Sequence, residues 1–284
     1  MGDRQKAALI TGCSSGIGRA TALGLKDAGW LVYATARRAA SIEELARAGC
    51  RAMELDVTDE TSIERAVRQV ESDCGSIDAL VNNAGYSQSG TVEETPIELI
   101  RRQFETNVLG LARLTQLVLP GMRRAGQGRI VNLGSMGGTL VFPGGGYYHA
   151  TKYALEAFSD ALRFEVGGLG IEVILIQPGL IRTGFSEAAV SSVPPQSADS
   201  PYRALMAKVK QATKDVFTEG LAAKLVGDPD DVARTIEQAL TAKRPKSRYR
   251  VSASAHVFMR LRSLLGDRGW DGFLAQHYPR PGKG

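Results

Sequence analysis

Thr11-Gly12-Cys13-Ser14-Ser15-Gly16-Ile17-Gly18 follows the short apolar run Ala7-Ala8-Leu9-Ile10 and leads into a stretch with helical periodicity. A strand, a glycine-rich turn and a helix, in that order, form the context of a dinucleotide fingerprint. Glycine permits the tight turn and lets the backbone approach a pyrophosphate. The helix start beyond it offers unpaired N–H groups and the positive end of the helix dipole. The spacing is Gly-x-x-x-Gly-x-Gly rather than Gly-x-Gly-x-x-Gly. Alone, such a turn can equally be no more than a tight connection.

Outward from that turn, short apolar runs alternate with longer amphipathic ones, the pattern of repeated βα units around a parallel sheet. Strands are expected over residues 7–11, 31–35, 51–55, 79–82, 129–133 and 171–177, and a seventh over 249–252. Helices are expected over 16–28, 60–72 and 148–166, and over a short segment capped by Ser41 and closed by Gly49. A long helical stretch begins at Pro96, breaks near Asn107 and stops before Gly126. The fold class is therefore α/β: a Rossmann-type, doubly wound, mostly parallel seven-stranded sheet in a single domain. After Pro178 the rhythm changes. Residues 186–200 are rich in serine, alanine and proline without a period, and read as a mobile loop. Residues 201–218 look helical, and another helix starts at Asp228-Pro229-Asp230 and runs to about Ala242. The region 184–220 is expected to be a substrate loop or lid and 253–284 a C-terminal extension. The end, Pro279-Arg280-Pro281-Gly282-Lys283-Gly284, is expected to fray.

The bulk properties narrow the class. The chain has 284 residues, 43% hydrophobic and 23% charged, ample for an ordinary globular core. A net charge of +5 raises nucleic acid as a partner, but the cations are dispersed. Their densest group, Arg244, Lys246, Arg248 and Arg250, alternates with other residues beside an expected strand and reads as a solvated edge. Cys13, Cys50 and Cys74 are odd in number and far apart, so no metal spacing and no disulfide framework is present. Reduced thiols in the cytoplasm are the simplest account. Residues 1–6 contain no signal-peptide core, and no apolar run reaches the ~20 residues of a membrane span.

Further candidates for chemistry follow the later strands. Asp56, in Leu55-Asp56-Val57, is placed to accept from an adenine amino group or to cap the next helix, although Thr58 and Asp59 are better placed for the cap. Asn82-Asn83-Ala84-Gly85 permits backbone contact with a cofactor, or is an Asn-rich turn. Ser135 follows the fifth strand. Tyr148 and Lys152 are four apart and share one helix face. An ammonium beside a phenol favours phenolate and lowers the tyrosine pKa, as a proton donor near neutral pH requires. Tyr147 points elsewhere. His149, His256 and His277 do not cluster; His149 is out of phase with Tyr148 and Lys152 and reads as surface or wall. The adjacent carboxylates Glu43-Glu44 and Asp230-Asp231 suit helix starts through the helix dipole.

In their order, Thr11, Gly12, Gly16, Ile17, Gly18, Asp56, Asn82 to Gly85, Asn107, Ser135, Tyr148, Lys152, Pro178-Gly179 and Thr183 resemble the short-chain dehydrogenase/reductase family over roughly residues 6–184. The resemblance implies that Tyr148 is the general acid/base and that Lys152 lowers its pKa and binds the nicotinamide ribose. It implies that Ser135 polarises the substrate oxygen and that Asn107 holds a water in a proton relay to Lys152. The implied cofactor site comprises Gly12, Ser14, Ser15, Gly16, Ile17, Gly18, Arg37, Asp56, Val57, Asn83, Ala84 and Gly85, with Tyr148 and Lys152. Pro178, Gly179, Ile181 and Thr183 complete it at the nicotinamide end. No metal is implied. The reaction would be hydride transfer between nicotinamide and a carbonyl or secondary alcohol carbon.

Cofactor choice follows from the second strand. The acid that holds two ribose hydroxyls in NAD enzymes is absent from Val32-Tyr33-Ala34-Thr35-Ala36-Arg37-Arg38, and Arg37 stands in its neighbourhood. A guanidinium matches a 2′-phosphate in charge and geometry, which favours NADP(H) over NAD(H). A basic residue inside the glycine turn, common in NADP-using relatives, is replaced here by Ser14 and Ser15. Gly12 to Gly16, Tyr33 to Arg37 and Ser135-Met136-Gly137-Gly138 are most similar to the steroid and retinol dehydrogenase branch. Phe185, Val190, Val193, Leu205, Met206 and Phe217 are candidates to line an apolar substrate pocket or, equally, ordinary packing residues, and Leu140, Val141 and Phe142 are expected to face the same pocket. Phe158 and Leu162 permit a homodimer or homotetramer, and suit a monomer core equally. The competing reading is a non-catalytic NADP-sensing protein of the same fold, which loss of the tyrosine or lysine would have favoured.

Overall fold

The computed structural model describes residues 4–217 and 223–282. Its strands are β1 (Ala7–Ile10), β2 (Leu31–Ala36), β3 (Arg51–Glu54), β4 (Ala79–Asn82), β5 (Gly128–Leu133), β6 (Ile171–Pro178) and β7 (Arg248–Val251). They form one sheet in the order β3-β2-β1-β4-β5-β6-β7. Every pairing is parallel, so the sheet expected to be mostly parallel is parallel throughout. The helices are α1 (Gly16–Asp27), α2 (Glu43–Arg47), α3 (Glu60–Cys74), α4 (Ile97–Phe104), α5 (Gly110–Ala125) and α6 (Gly146–Val166). They continue as α7 (Phe185–Ser191), α8 (Arg203–Asp215), α9 (Pro229–Thr241) and α10 (Ala253–His277).

Strand alternation builds two layers from one sheet. Ala8, Ile10, Val32 and Ala34 face α1 and α9, whose Ala22, Leu25, Val232 and Ile236 complete one core. Ala7, Leu9 and Tyr33 face the other way, onto Ile63, Val67 and Val70 of α3, Leu114 and Val118 of α5, and Leu162 of α6. Buried on both faces, these strands are near-continuous apolar runs, as parallel strands between two helix layers must be. The crossovers diverge from β1, so the carboxyl ends of β1 and β4 border the crevice in which open α/β sheets bind ligands.

Several local expectations change. Ser41 caps no α-helix. It lies inside a 3-10 turn (Ala39–Ile42) and its hydroxyl donates to Arg38 O. The break near Asn107 is a widened π turn (Glu105–Leu109) that joins α4 to α5 without interrupting helical backbone. Asp59 caps α3, and Asp228 with Asp231 forms a capping box on α9. The segment read as a loop from residue 186 begins inside α7, whose short length shows little periodicity. The helix expected over 201–218 runs from Arg203 to Asp215, and the last part of the 184–220 region, from Thr218, lies outside the described residues. Leu162 is buried in the protomer core and Phe158, partly buried, packs against it. Arg248 is not a solvated edge cation: it bonds Glu156 and Asp160 at 2.9 and 2.7 Å.

The C-terminal extension carries more structure than its sequence suggested. α10 bends at Gly266, where φ is 61°. Its Ala255, Met259 and Trp270 form a third apolar cluster with Met136 and Leu140, against which Phe142 and Phe258 also pack. Leu140 and Phe142 were expected to face a substrate pocket. They are spent instead on docking this helix, and Val141 is half exposed while its carbonyl accepts from Trp270 Nε1 at 3.1 Å. Among the described residues, no helix is long and apolar enough to cross a membrane.

Candidate active site

The glycine turn is shaped by what lies against it. Asn83 Nδ2 donates to Thr11 O at 2.8 Å and to Gly12 O at 3.1 Å, and Thr11 Oγ1 accepts from the backbone N–H groups of Asn83 and Ala84, both at 3.0 Å. These bonds pull the ends of β1 and β4 together and leave no room for side chains between them. A Cβ on Gly12, which has φ +72°, would lie 2.9 Å from Ala84 Cα. One on Gly18 would collide with Gly12 O and Asn83 Nδ2. Ser14 and Ser15 are exposed, and Ser15 begins α1 with extended backbone and no side-chain cap, so the first amides of the helix stay open toward the crevice. Ile17 packs back onto the core. A cradle cleared of Cβ atoms at a helix start fits a pyrophosphate.

Around that cradle the other candidates divide. Arg37 is exposed just past β2 and has no ion-pair partner among the described residues; its charge reaches Tyr86, next to Gly85. Asp56 Oδ1 is engaged locally, accepting from Thr58 N at 2.9 Å and Thr58 Oγ1 at 2.8 Å, which leaves Oδ2 free of these bonds. The Val57 and Ile181 side chains are buried in the two cores, leaving only their backbone to meet a ligand. Gly179 is clamped between β6 and the start of α10, where a Cβ would meet Ala255 N at 2.5 Å. Pro178 ends β6, and Thr183 comes back to the glycine turn: its Cγ2 lies 3.2 Å from where a Cβ on Gly16 would stand. Asn107 is held by Tyr86 N (3.1 Å), Tyr86 O (2.9 Å) and Thr151 Oγ1 (3.1 Å). Its oxygen and one amide proton thus fix Tyr86 in the segment after β4, and its other amide proton goes to Thr151 on α6.

Ser135, Tyr148 and Lys152 do meet. Ser135 begins a 3-10 turn (Met136–Gly138), its Oγ accepting from Gly137 N at 3.0 Å. Lys152 Nζ lies 5.8 Å from the centre of the Tyr148 ring and donates to Leu133 O at 2.6 Å. Burial pushes the Tyr148 pKa up to about 12, and the Ser135 hydroxyl beside it pulls the other way. Burial lowers the Lys152 pKa to about 8. The ammonium expected to depress the tyrosine lies beside its ring, and burial is the largest influence on the phenol. The phenol is therefore neutral across physiological pH, the form that donates a proton. Thr151, missed in the sequence, links the site internally: its Oγ1 donates to Tyr148 O at 2.7 Å while accepting from Asn107. Tyr147 points away, bonding Val92 O at 2.8 Å.

α7 and α8 cover this site. Phe185 brings its ring 5.4 Å from that of Tyr148. Ser192 Oγ accepts from Ser89 N at 2.8 Å, Gln196 Nε2 donates to Glu94 Oε2 at 2.9 Å, and Tyr202 donates to Glu93. Met206 is fully buried against Gly144. Among the described residues no cluster of side chains suited to a metal occurs.

Residues 6–193 match the family described as short chain dehydrogenase, and the chain belongs to that family. It is 36% identical to the uncharacterized oxidoreductase YbbO of Escherichia coli over 95% of this chain and 94% of that one. It is 33% identical to the NADPH-dependent 3-dehydrocapnine reductase of Ornithobacterium rhinotracheale over 93% and 94%. It is 32% identical to human retinol dehydrogenase 5 over 96% and 88%, in keeping with the steroid and retinol branch. A short-chain dehydrogenase structure from Streptomyces avermitilis superposes with a TM-score of 0.79 at 34% identity, covering 96% of this chain and 98% of that one. The protein is accordingly an oxidoreductase with a nucleotide-binding Rossmann fold, and acts on small molecules.

The steric argument at the turn is open to direct test. Gly18→Ala should abolish measurable dinucleotide binding by calorimetry. Gly24→Ala, on the same helix but with its nearest neighbour 4.0 Å away, should bind normally and gain up to ~1 kcal/mol of stability from helix propensity. Equal binding by the two variants would contradict the close-packed cradle.

Proposed function

We propose that the protein is an NADP(H)-dependent enzyme that interconverts a carbonyl and a secondary alcohol on a medium-sized, largely apolar substrate. What carries the reading is the convergence of Ser135, Tyr148 and Lys152 at the carboxyl edge of the sheet, beside a cradle that Thr183 reaches from the opposite side. When bound, NADPH supplies the hydride and NADP accepts it. In reduction, Tyr148 gives its phenolic proton to the substrate oxygen while Ser135 donates a hydrogen bond to the same oxygen. Lys152 stabilises the phenolate that results and holds the ribose. Gly12, Ser14, Ser15, Gly16, Ile17 and Gly18 hold the pyrophosphate, Asp56 and Val57 the adenine end, and Asn83, Ala84 and Gly85 the ribose side. Pro178, Gly179, Ile181 and Thr183 hold the carboxamide end. Asn107 fixes the segment after β4 through Tyr86 and would hold the water of the proton relay to Lys152. The presence of both Tyr148 and Lys152 in one buried site favours turnover over silent cofactor sensing. Free Cys13, Cys50 and Cys74 fit a reducing cytoplasm.

Tyr148→Phe should cut NADPH-coupled ketone reduction by roughly 10²–10⁴-fold, the usual contribution of general acid–base catalysis, with NADPH affinity retained. In the unsubstituted enzyme, kcat/KM for reduction should fall as pH rises through about 8, where Lys152 loses its charge, while Tyr148 stays protonated. Full activity in the phenylalanine variant, or a profile flat across about one pH unit on either side of the Lys152 value of about 8, would remove Tyr148 and Lys152 from these roles.

The NADP preference rests on exposed, unpaired Arg37 and on the absence of an acid at the end of β2. The name of the capnine reductase relative supports it. Arg37→Ala should weaken NADPH by roughly ten- to a hundredfold, the worth of a charge-assisted phosphate contact, and NADH hardly at all. Equal weakening of both would reject the assignment.

The substrate class rests on Phe185 and the α7–α8 cover, read as a lid, and on relatives named for retinol and 3-dehydrocapnine. In a series of ketones of increasing apolar size, kcat/KM should climb and then level off, because each buried Å² contributes roughly 25 cal/mol. Activity confined to charged sugars would exclude this class.

A further inference from the structure

The imidazole of His149 sits between the tyrosine-bearing helix and the segment that carries Ser135. It is buried, with 7% of its surface exposed. Phe142 N–H donates to Nε2 at 3.1 Å, so Nε2 is an acceptor and the proton is on Nδ1, which donates to Gly137 O at 3.0 Å. Gly137 N in turn donates to Ser135 Oγ at 3.0 Å. One neutral ring thus ties both ends of the turn after β5 to α6, one peptide away from the serine hydroxyl. Among the described residues, the other α6 side chain bonded to the 134–145 segment is that of Tyr148, at the Ser135 hydroxyl. Further ties reach its two ends: Gly134 N to Ile176 O at 2.8 Å, Trp270 Nε1 to Val141 O at 3.1 Å, and Gly90 N to Gly144 O at 2.8 Å.

The segment is cleared for this ring. A Cβ on Gly137 would stand 2.6 Å from His149 Nδ1, and one on Gly145 would stand 3.1 Å from Nε2. Two side-chain-free positions flank one imidazole, on opposite edges. The ring centre also lies 5.7 Å from that of Tyr148, so His149 borders the proton donor as well as the serine turn. Burial lowers its pKa and keeps the ring neutral, which both bonds require.

We propose that His149, as its Nδ1–H tautomer, is a positioning residue that aims Ser135 Oγ at the substrate oxygen held by Tyr148. It touches neither substrate nor cofactor; it acts through Gly137. The proposal rests on the reading of Ser135 and Tyr148 given above. Loss of the clamp lets the Ser135 turn drift, and displacement of an oriented group by about 1 Å costs up to ~10²-fold in rate.

The test compares purified full-length variants with NADPH and the best ketone of the size series. His149→Ala should lower kcat by roughly ten- to a hundredfold with NADPH affinity unchanged. His149→Asn, whose amide replaces Nδ1 and keeps the Gly137 bond, should restore most of the loss. His149→Gln, which replaces Nε2 and keeps only the Phe142 bond, should restore less. Added to Ser135→Ala, His149→Ala should cost almost nothing more, because both remove one interaction. Additive losses, rescue by Gln rather than Asn, or an undiminished kcat in His149→Ala overturns the proposal. Should the alanine variant not fold, the Asn/Gln order decides. The nitrogen-15 spectrum of the imidazole in the unsubstituted protein provides a reading without turnover: protonation at Nε2 rejects the clamp. If the unsubstituted protein binds NADPH, shows the Nδ1–H form and yet reduces no carbonyl, the functional reading falls and the catalytic consequence of His149 falls with it, while the clamp geometry stands.

Discussion

The side-chain amide of Asn83 holds the carbonyls of Thr11 and Gly12, and much of the site depends on that pair of bonds. They draw the ends of β1 and β4 together where the strand order reverses, the place at which an open parallel sheet has its crevice. Two consequences follow. The backbone of the turn must pass where Cβ atoms do not fit, so Gly12 is compelled by contact with Ala84 as well as by torsion, and Gly18 by contact with Gly12 O and Asn83. And α1 must start immediately beyond, with its open amides at the crevice. The strand ends, the glycines and the helix start are one steric solution.

Much of this solution was legible in the sequence because it is local. Alternation of apolar runs with amphipathic ones identifies the βα repeats, and all seven strands fall within a residue or two of their expected places. Glycine spacing and the Tyr148–Lys152 interval are short-range signals as well. What was not legible is long-range. Leu140 and Phe142 read as pocket residues because nothing near them in sequence announces α10, more than a hundred residues on, as their packing partner. The partners that fix the Asn107 side chain, the Tyr86 backbone and Thr151, lie on other elements and could not be read from its neighbours in sequence. His149 looked like surface or wall because helical phase says where a side chain points and not what comes down on top of it.

α10 also gives the segment after β5 its second anchor. On one side His149 grips Gly137 and Phe142; on the other, Trp270 bonds Val141 O and packs with Phe142. An isolated turn between a strand and a helix has too few contacts to hold a hydroxyl to a fraction of an ångström, and rate depends steeply on that precision. Here the turn is held from two layers. The apolar residues after Ser135 thus serve the site by immobilising its backbone.

The ionised group at the centre of the site is costly to the fold. Lys152 is buried, and among the described residues its ammonium hydrogen-bonds only to the carbonyl of Leu133. Its pKa in the folded chain is about 8, against an ordinary 10.5. The folded state therefore binds this proton less tightly than the unfolded state does. By linkage, that difference lowers stability by about 3 kcal/mol below pH 8, and the deficit is recovered as pH rises from about 8 to 10.5. A methionine in its place would fill the space without that cost. The helix instead carries an ammonium under the Tyr148 ring, where a phenolate formed during proton transfer has it as neighbour. The lysine is destabilising in the resting protein and stabilising at the moment a negative charge appears on the tyrosine oxygen, which is the differential that accelerates a reaction.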